Sequence, residues 1–111
     1  MNSENKKRLG IMGGTFDPIH YGHLVAAETA RYEFKLEEVL FIPTGSPPHK
    51  EGNEVSNPKF RYEMASLAIQ DNKYFSISRI EIDRTGKSYT VDTLRELQRI
   101  YPDYELYFIT S

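Results

Sequence analysis

Two histidines spaced as H-x-G-H, His20 and His23, give the sequence its clearest chemical signal. At about 2% His and 7% Gly, chance produces this pattern in roughly one chain of this length in several hundred. A histidine ring can donate a hydrogen bond to a phosphate, accept one from the backbone, or bind a metal ion. The pair therefore has three interpretations: two phosphate donors, two residues satisfied at the start of a helix, or, together with Asp17, part of a zinc site.

The zinc interpretation is the weakest of the three. The spacing differs from the i, i+4 histidines of a helical H-E-x-x-H motif, and no adjacent glutamate supplies a base. The sequence also has neither a P-loop nor a G-x-G-x-x-G motif. If this protein binds a phosphate, it must do so by another arrangement.

The composition excludes several classes of function. Of 111 residues, 14 are basic and 16 acidic, a net charge of −2, so there is no bulk positive charge to hold nucleic acid or an anionic membrane. Without cysteine there are no disulfides, thiolate metal sites or cysteine nucleophiles. No apolar run reaches the length of a signal peptide or a membrane span. We expect a cytoplasmic protein with no nucleic-acid or membrane partner, and the sequence leaves open whether it forms a homo-oligomer.

The elements that position the histidines alternate between strand and helix. Residues 9–12 predict a buried strand that ends at a glycine pair, and helical spacing begins at Gly22. Further strands are predicted at 38–42, at 75–82 with a bulge or kink near Arg79, and at 106–109, and further helices after Asn57 and before Pro102. This order predicts an α/β fold, a Rossmann-like parallel sheet with flanking helices and right-handed crossovers.

The segment between Pro43 and Pro58 has almost no apolar residues and is rich in proline, glycine and polar types. It predicts a long surface loop. Because such loops in compact domains are usually functional or mobile, we expect it to form a wall of the site.

The glycines before the histidines occupy the place where a phosphate is expected. Open α/β sheets bind ligands beyond the carboxyl ends of their strands, and a helix N-terminus there offers free backbone N–H groups to an anion. Gly13 and Gly14 allow the backbone to approach a ligand closely, and Thr15 adds a hydroxyl. Gly22 has no side chain and therefore leaves space on the side of the helix start to which the two histidines can point.

The segment from Gly13 to His23 resembles the H-x-G-H signature of the nucleotidylyltransferase superfamily. Two further segments, SPPHK at 46–50 and SYTVDTL at 88–94, resemble bacterial nicotinate-nucleotide adenylyltransferases, as do Arg61 and Met64. The agreement covers nearly all residues from Arg8 onward. That family continues past a segment like 107–111 with motifs that complete the nucleotide site. The resemblance therefore implies that residues 1–111 are the N-terminal part of a single nucleotidylyltransferase domain, lacking its C-terminal part and poorly active by itself.

The resemblance implies an enzyme of NAD biosynthesis that transfers AMP from ATP to nicotinate mononucleotide, with Mg²⁺ accompanying ATP. Deamido-NAD and pyrophosphate are the products, and the protein itself holds no metal. The implied catalytic residues are His20 and His23. The implied ATP and phosphate site comprises Gly14, Thr15, Phe16, His20, His23 and Lys50, and the implied nicotinate mononucleotide site comprises His49, Lys50, Tyr89 and Thr90.

Two other functions remain open: a nucleotide-binding module without turnover, and a cytidylyltransferase-like relative that would use CTP. Several residues also have plain structural interpretations. Taken alone, Lys50 is a solvated lysine, Ser88 and Thr90 are N-cap candidates, Asp92 stabilises the first turn of a helix, and Arg61 makes a structural ion pair.

Overall fold

The computed structural model describes residues 6–45, 56–84 and 89–109. Within these ranges the strands are β1 (Lys7–Gly14), β2 (Glu38–Pro43), β3 (Phe75–Ile77) and β4 (Tyr104–Ile109). The helices are α1 (Tyr21–Phe34), α2 (Pro58–Ile69) and α3 (Thr90–Ile100). All strand pairs are parallel, in the order β3-β2-β1-β4, which confirms the predicted Rossmann-like sheet with flanking helices. In the described ranges, no helix has both the length and the apolar composition that a membrane span requires.

Side chains alternate across β1 and divide the core into two layers. Leu9 and Ile11 face the layer that contains Leu97 of α3. Met12 faces the opposite layer, which contains Ala27 of α1. Parallel sheets bury both faces, so residues of both parities in β1 are buried. This explains the continuous apolar run from which the strand was predicted.

The strand order reverses at β1. The chain passes from β1 to β2 and then to β3 on one side, and α3 returns it to β4 on the other side of β1. Ligands of open α/β sheets bind outside the carboxyl ends of the strands at such a reversal. Gly13 and Gly14, the last two residues of β1, lie at this point.

The strand predicted at 75–82 is wrong beyond Ile77, where a turn follows β3. The hydroxyl of Ser78 accepts a hydrogen bond from the N–H of Ile80 at 3.1 Å. The N–H of Asp83 donates to the carbonyl of Arg79 at 2.8 Å, and the two side chains form an ion pair at 3.1 Å. Side-chain and local backbone bonds therefore replace the strand ladder. Ile80 packs against the layer of Leu9 from this turn, which explains the apolar residue that had suggested a strand.

The predicted start of α2 and the predicted end of α3 are confirmed. Asn57 is the N-cap of α2, its Oδ1 accepts from the N–H of Lys59 at 2.8 Å, and Pro58 is the first helical residue. Helix α3 ends before Pro102. Helix α1 ends at Lys35 in the left-handed conformation (φ 55°).

Candidate functional site

A cleft of about 410 Å³ opens at the carboxyl edge of the sheet, where the strand order reverses. Gly14 and Thr15 line it from the end of β1, and Thr44 lines it from the end of β2. Tyr89 and Thr90 line it from the start of α3. This site cleft therefore brings two residues of the predicted phosphate site together with two of the predicted nicotinate segment, whereas Phe16, His20 and His23 do not line it.

His20 and His23 cap the N-terminus of α1 together. His20 is the N-cap, and its Nδ1 accepts from the N–H of Gly22 at 3.1 Å. The Nδ1 of His23 accepts from the N–H of His20 at 3.0 Å. A neutral imidazole that accepts at Nδ1 carries its proton on Nε2, so each ring retains one Nε2–H donor. The helix-start interpretation is confirmed. It is compatible with the phosphate-donor interpretation, because capping uses Nδ1 of each ring and donation to a phosphate would use Nε2.

Gly22 is needed for the position of the His20 ring. The centroids of the His20 and His23 rings are 3.9 Å apart, with 33° between their planes. A Cβ on Gly22 would lie 2.9 Å from Cε1 and 3.0 Å from Nδ1 of His20. The glycine of the H-x-G-H pattern therefore leaves space for the first imidazole, as the sequence had indicated.

Phe16 connects the glycine loop to His23 and to the core. It is 3% exposed and has a φ of 51°, a conformation that side-chain-bearing residues rarely adopt. Its ring meets the ring of His23 edge-on, with the centroids 5.0 Å apart, and packs against Phe41. A Cβ on Gly14 would lie 3.0 Å from the Phe16 ring, so that glycine leaves space for the aromatic side chain.

The electrostatic environment favours a neutral His23. Burial lowers the pKa of His23 below its ordinary value of 6.5, and the neighbouring His20 ring lowers it further. The hydrogen bond with the backbone of His20 acts in the opposite direction. At neutral pH the His23 side chain is therefore an imidazole with one acceptor and one donor nitrogen.

Tyr89, and not Thr90, is the N-cap of α3, so Thr90 is the first helical residue. Within the described part of the chain, Tyr89 makes no side-chain capping hydrogen bond. The first N–H groups of a helix have no partner within the helix and carry partial positive charge. Asp92 lies in the first turn, where a carboxylate stabilises the helix as predicted. The start of α3 thus offers backbone donors at the site cleft.

Sequence reasoning missed Glu81 and Thr93, which also line the site cleft. The Thr93 hydroxyl, which belongs to a side chain only 3% exposed, donates to Glu81 Oε2 at 2.7 Å and accepts from Arg84 Nη1 at 2.9 Å. Arg84 Nη2 also pairs with Glu96 at 2.7 Å. No signal pointed to Glu81, because the turn that presents it was predicted as a strand.

Thr44 was also missed, although the strand-end rule could have found it. It follows directly after β2, and its N–H donates to the carbonyl of Gly14 at 2.9 Å. Its hydroxyl oxygen is buried without a hydrogen-bond partner among the described residues. Buried hydroxyls are normally bonded, so this oxygen is an exception in the wall of the site cleft.

Three residues singled out from the sequence, His49, Lys50 and Ser88, lie outside the described residues. Arg61 was expected to make a structural ion pair, but the hydrogen-bond partners that the described residues give its guanidinium are backbone carbonyls of three segments. The described ranges contain no group of three or more His, Asp or Glu side chains that could hold a metal ion, so they give the zinc interpretation no support.

The chain matches the family described as cytidylyltransferase-like over residues 11–110. A protein of Desulfitobacterium hafniense (strain Y51) named "Probable nicotinate-nucleotide adenylyltransferase" is 67% identical over 105 residues, 95% of this chain and 51% of that protein. A protein of the same name from Moorella thermoacetica is 61% identical over 105 residues, 94% of this chain and 48% of that protein. The chain therefore spans about half the length of these relatives.

The structure is similar to that of Plasmodium falciparum nicotinic acid mononucleotide adenylyltransferase complexed with NaAD, with a TM-score of 0.74. The similarity covers 92% of this chain and 50% of that chain, at 19% sequence identity. The same Plasmodium enzyme complexed with APC gives a TM-score of 0.73. At this level of identity the likeness shows a shared fold.

Proposed function

The chain belongs to the cytidylyltransferase-like family, and we propose that the protein transfers AMP from ATP to nicotinate mononucleotide. The products are deamido-NAD and pyrophosphate. The observation that carries the proposal is a single cleft lined by both the glycine loop after β1 and the start of α3. A reaction between two phosphorylated substrates requires that both be held in one place. The 67% identity to the Desulfitobacterium protein supports this substrate pair.

The two histidines act as hydrogen-bond donors in this proposal. Each presents an Nε2–H, because each Nδ1 already accepts a backbone N–H. Negative charge grows on the departing pyrophosphate, so donors fixed at the ATP phosphates stabilise the transition state. The attacking group is a phosphate whose second pKa is near 6, so it is mostly dianionic at pH 7 and needs no general base. His20 and His23 therefore contribute position and charge stabilisation.

The glycine loop forms the rest of the ATP site. We assign backbone contacts with the nucleotide and its phosphates to Gly14, Thr15 and Phe16, supported by the position of Gly14 and Thr15 in the cleft wall. Lys50, and His49 with it, are assigned to phosphate and nucleotide contacts from the family motif alone. Their charge and donor groups suit a phosphate.

The start of α3 binds the pyridine carboxylate. Tyr89 and Thr90 line the cleft, and the helix begins there without a capping side chain from the described residues. A carboxylate accepts hydrogen bonds at both oxygens and is stabilised by the partial positive charge of a helix N-terminus. This segment therefore distinguishes nicotinate from nicotinamide.

Mg²⁺ enters with ATP in this proposal. Mg²⁺ in nucleotide enzymes commonly keeps several waters and binds substrate phosphates with few protein ligands. Such an ion would neutralise phosphate charge, and His20 and His23 would donate hydrogen bonds to the phosphate oxygens.

The test is turnover in a chimera that joins residues 1–109 to the second half of the 67% identical Desulfitobacterium protein. Pyrophosphate release is measured with nicotinate mononucleotide and either ATP or CTP. We expect kcat/KM with ATP to exceed that with CTP by at least about tenfold. A preference for CTP would show a cytidylyltransferase, and binding of ATP without turnover would show a nucleotide-binding module.

A further inference from the structure

A single buried arginine joins three loops at the carboxyl edge of the sheet. Arg61, near the start of α2, is 1% exposed. Its Nη1 donates to the carbonyl of Thr15 at 2.7 Å, and its Nη2 donates to the carbonyl of Gly45 at 3.0 Å. Its Nε donates to the carbonyl of Ser56 at 2.8 Å. The loop after β1, the loop after β2 and the segment before α2 therefore meet at one guanidinium.

This arrangement depends on the shape of the guanidinium. Three nitrogens in one plane bond three carbonyls from separate segments, whereas the ammonium of a lysine is a single point. Burial lowers the pKa of Arg61, while the nearby Asp17 carboxylate raises it. The group remains charged, since an arginine does not lose its proton in proteins.

The loop held by Arg61 leads directly to the histidines. Thr15 precedes Phe16, which has a φ of 51° and packs edge-on against His23. On the other side of Phe16, Asp17 Oδ2 accepts from the N–H of Ser56 at 2.9 Å. The Thr15–Asp17 turn is therefore fixed on both sides of its left-handed residue. Such conformations persist only where surrounding contacts hold them.

We propose that Arg61 is a positioning residue that holds the Thr15–Asp17 turn and, through the ring of Phe16, fixes the imidazole of His23. Its effect on turnover rests on the proposed function, whereas its effect on His23 does not. A purely structural arginine would stabilise the fold without a specific effect on His23 once the protein is folded.

Two variants and a control separate these roles. Arg61→Met retains a long side chain without donors, and Arg61→Lys retains the charge without the planar fork. Leu9→Ala is the control, because Leu9 is fully buried in the other core layer near the amino end of β1. Urea unfolding first establishes the conditions under which each variant is folded.

The first readout is the NMR chemical shift of the His23 Cε1 proton in the 111-residue chain. We expect Arg61→Met to move this resonance toward the value of free histidine, and Arg61→Lys to move it in the same direction. Leu9→Ala should leave it in place. The second readout is steady-state kinetics in the chimera, where Arg61→Met should lower kcat at least about tenfold and change KM less.

Each outcome decides between the two roles. If the His23 resonance is unchanged in both arginine variants, or if Leu9→Ala moves it equally, Arg61 does not position His23. If Arg61→Met fails to fold, Arg61→Lys decides the question by the same readouts. If the resonance moves as expected but the unmodified chimera transfers no AMP, the proposed function fails and the positioning role stands.

Discussion

The imidazole of His23 accepts a hydrogen bond from the backbone N–H of His20 at 3.0 Å, and the centroids of the two rings lie 3.9 Å apart. The cap fixes which nitrogen of each ring is protonated, because a nitrogen that accepts a hydrogen bond has no proton of its own. Capping the helix and donating to a phosphate are therefore compatible roles for the same two side chains.

Removal of either imidazole should reduce turnover more than binding. In the chimera we expect His20→Ala and His23→Ala each to lower kcat roughly 10²- to 10³-fold, the usual effect of losing one preorganised donor. His20→Asn is the matched control for helix capping, since its Oδ1 retains a capping acceptor. It should preserve stability better than alanine and still lose turnover. Near-normal kcat in both alanine variants would contradict the donor role.

Gly22→Ala should separate helix stability from activity. Alanine favours a helix by about 1 kcal/mol over glycine, but a Cβ here would lie 2.9 Å from Cε1 of His20. We expect the variant to lower kcat at least about tenfold through displacement of that ring. Val25→Ala, at an exposed position of the same helix, should leave kcat unchanged. Equal kcat in the two variants would show that the absence of a side chain at Gly22 is not needed for the position of the His20 ring.

The lowered pKa of His23 predicts a loss of stability in mild acid. The folded state disfavours the charged form, so the unfolded state, with its pKa near 6.5, binds the proton first. The free energy of unfolding should therefore fall as the pH drops below about 6.5 and through the folded pKa of His23. Urea unfolding from pH 7.5 to pH 5 measures this. His23→Gln should show a shallower slope over this range, and an identical slope would contradict the prediction.

Much of the fold could be predicted because short patterns specify it. The apolar run of β1, the Asn57-Pro58 helix start and the break before Pro102 each fix an element locally. The position of the candidate site cleft could also be predicted, since a glycine pair after the first strand lies where parallel sheets bind ligands.

The remaining features depend on tertiary contacts that residue types do not reveal. Arg61 binds backbone carbonyls, which every residue has, so no pattern identifies its partners. Ile80 is partly buried and packs against the core from a turn, whereas the alternation of apolar residues predicts that it lies in a strand. Glu81 lies in the site cleft because of that same turn.

The hydrogen bonds of the Thr93 hydroxyl in the wall of the site cleft should stabilise the fold, and this can be tested by substitution. Thr93→Val keeps the shape of the side chain but removes the hydroxyl between Glu81 and Arg84. Loss of a buried bonding partner should lower the free energy of unfolding by roughly 1 to 3 kcal/mol. Thr29→Val, at an exposed position of α1, should change it by less than about 0.5 kcal/mol. Equal effects on denaturant unfolding would show that the Thr93 hydroxyl contributes nothing specific.

The proposed function requires that this cleft adenylylate a nucleotide whose pyridine ring carries a carboxylate. A carboxamide would point its NH₂ group at the N–H donors of the α3 start and leave them unpaired, at a cost of about 1 to 3 kcal/mol. The direct measurement is kcat/KM of the chimera for nicotinate mononucleotide and for nicotinamide mononucleotide, at saturating ATP and Mg²⁺. We predict a preference of roughly 10- to 100-fold for the nicotinate form. Equal efficiency for the two substrates would contradict the proposed function, since the segment around Thr90 would then not recognise the carboxylate.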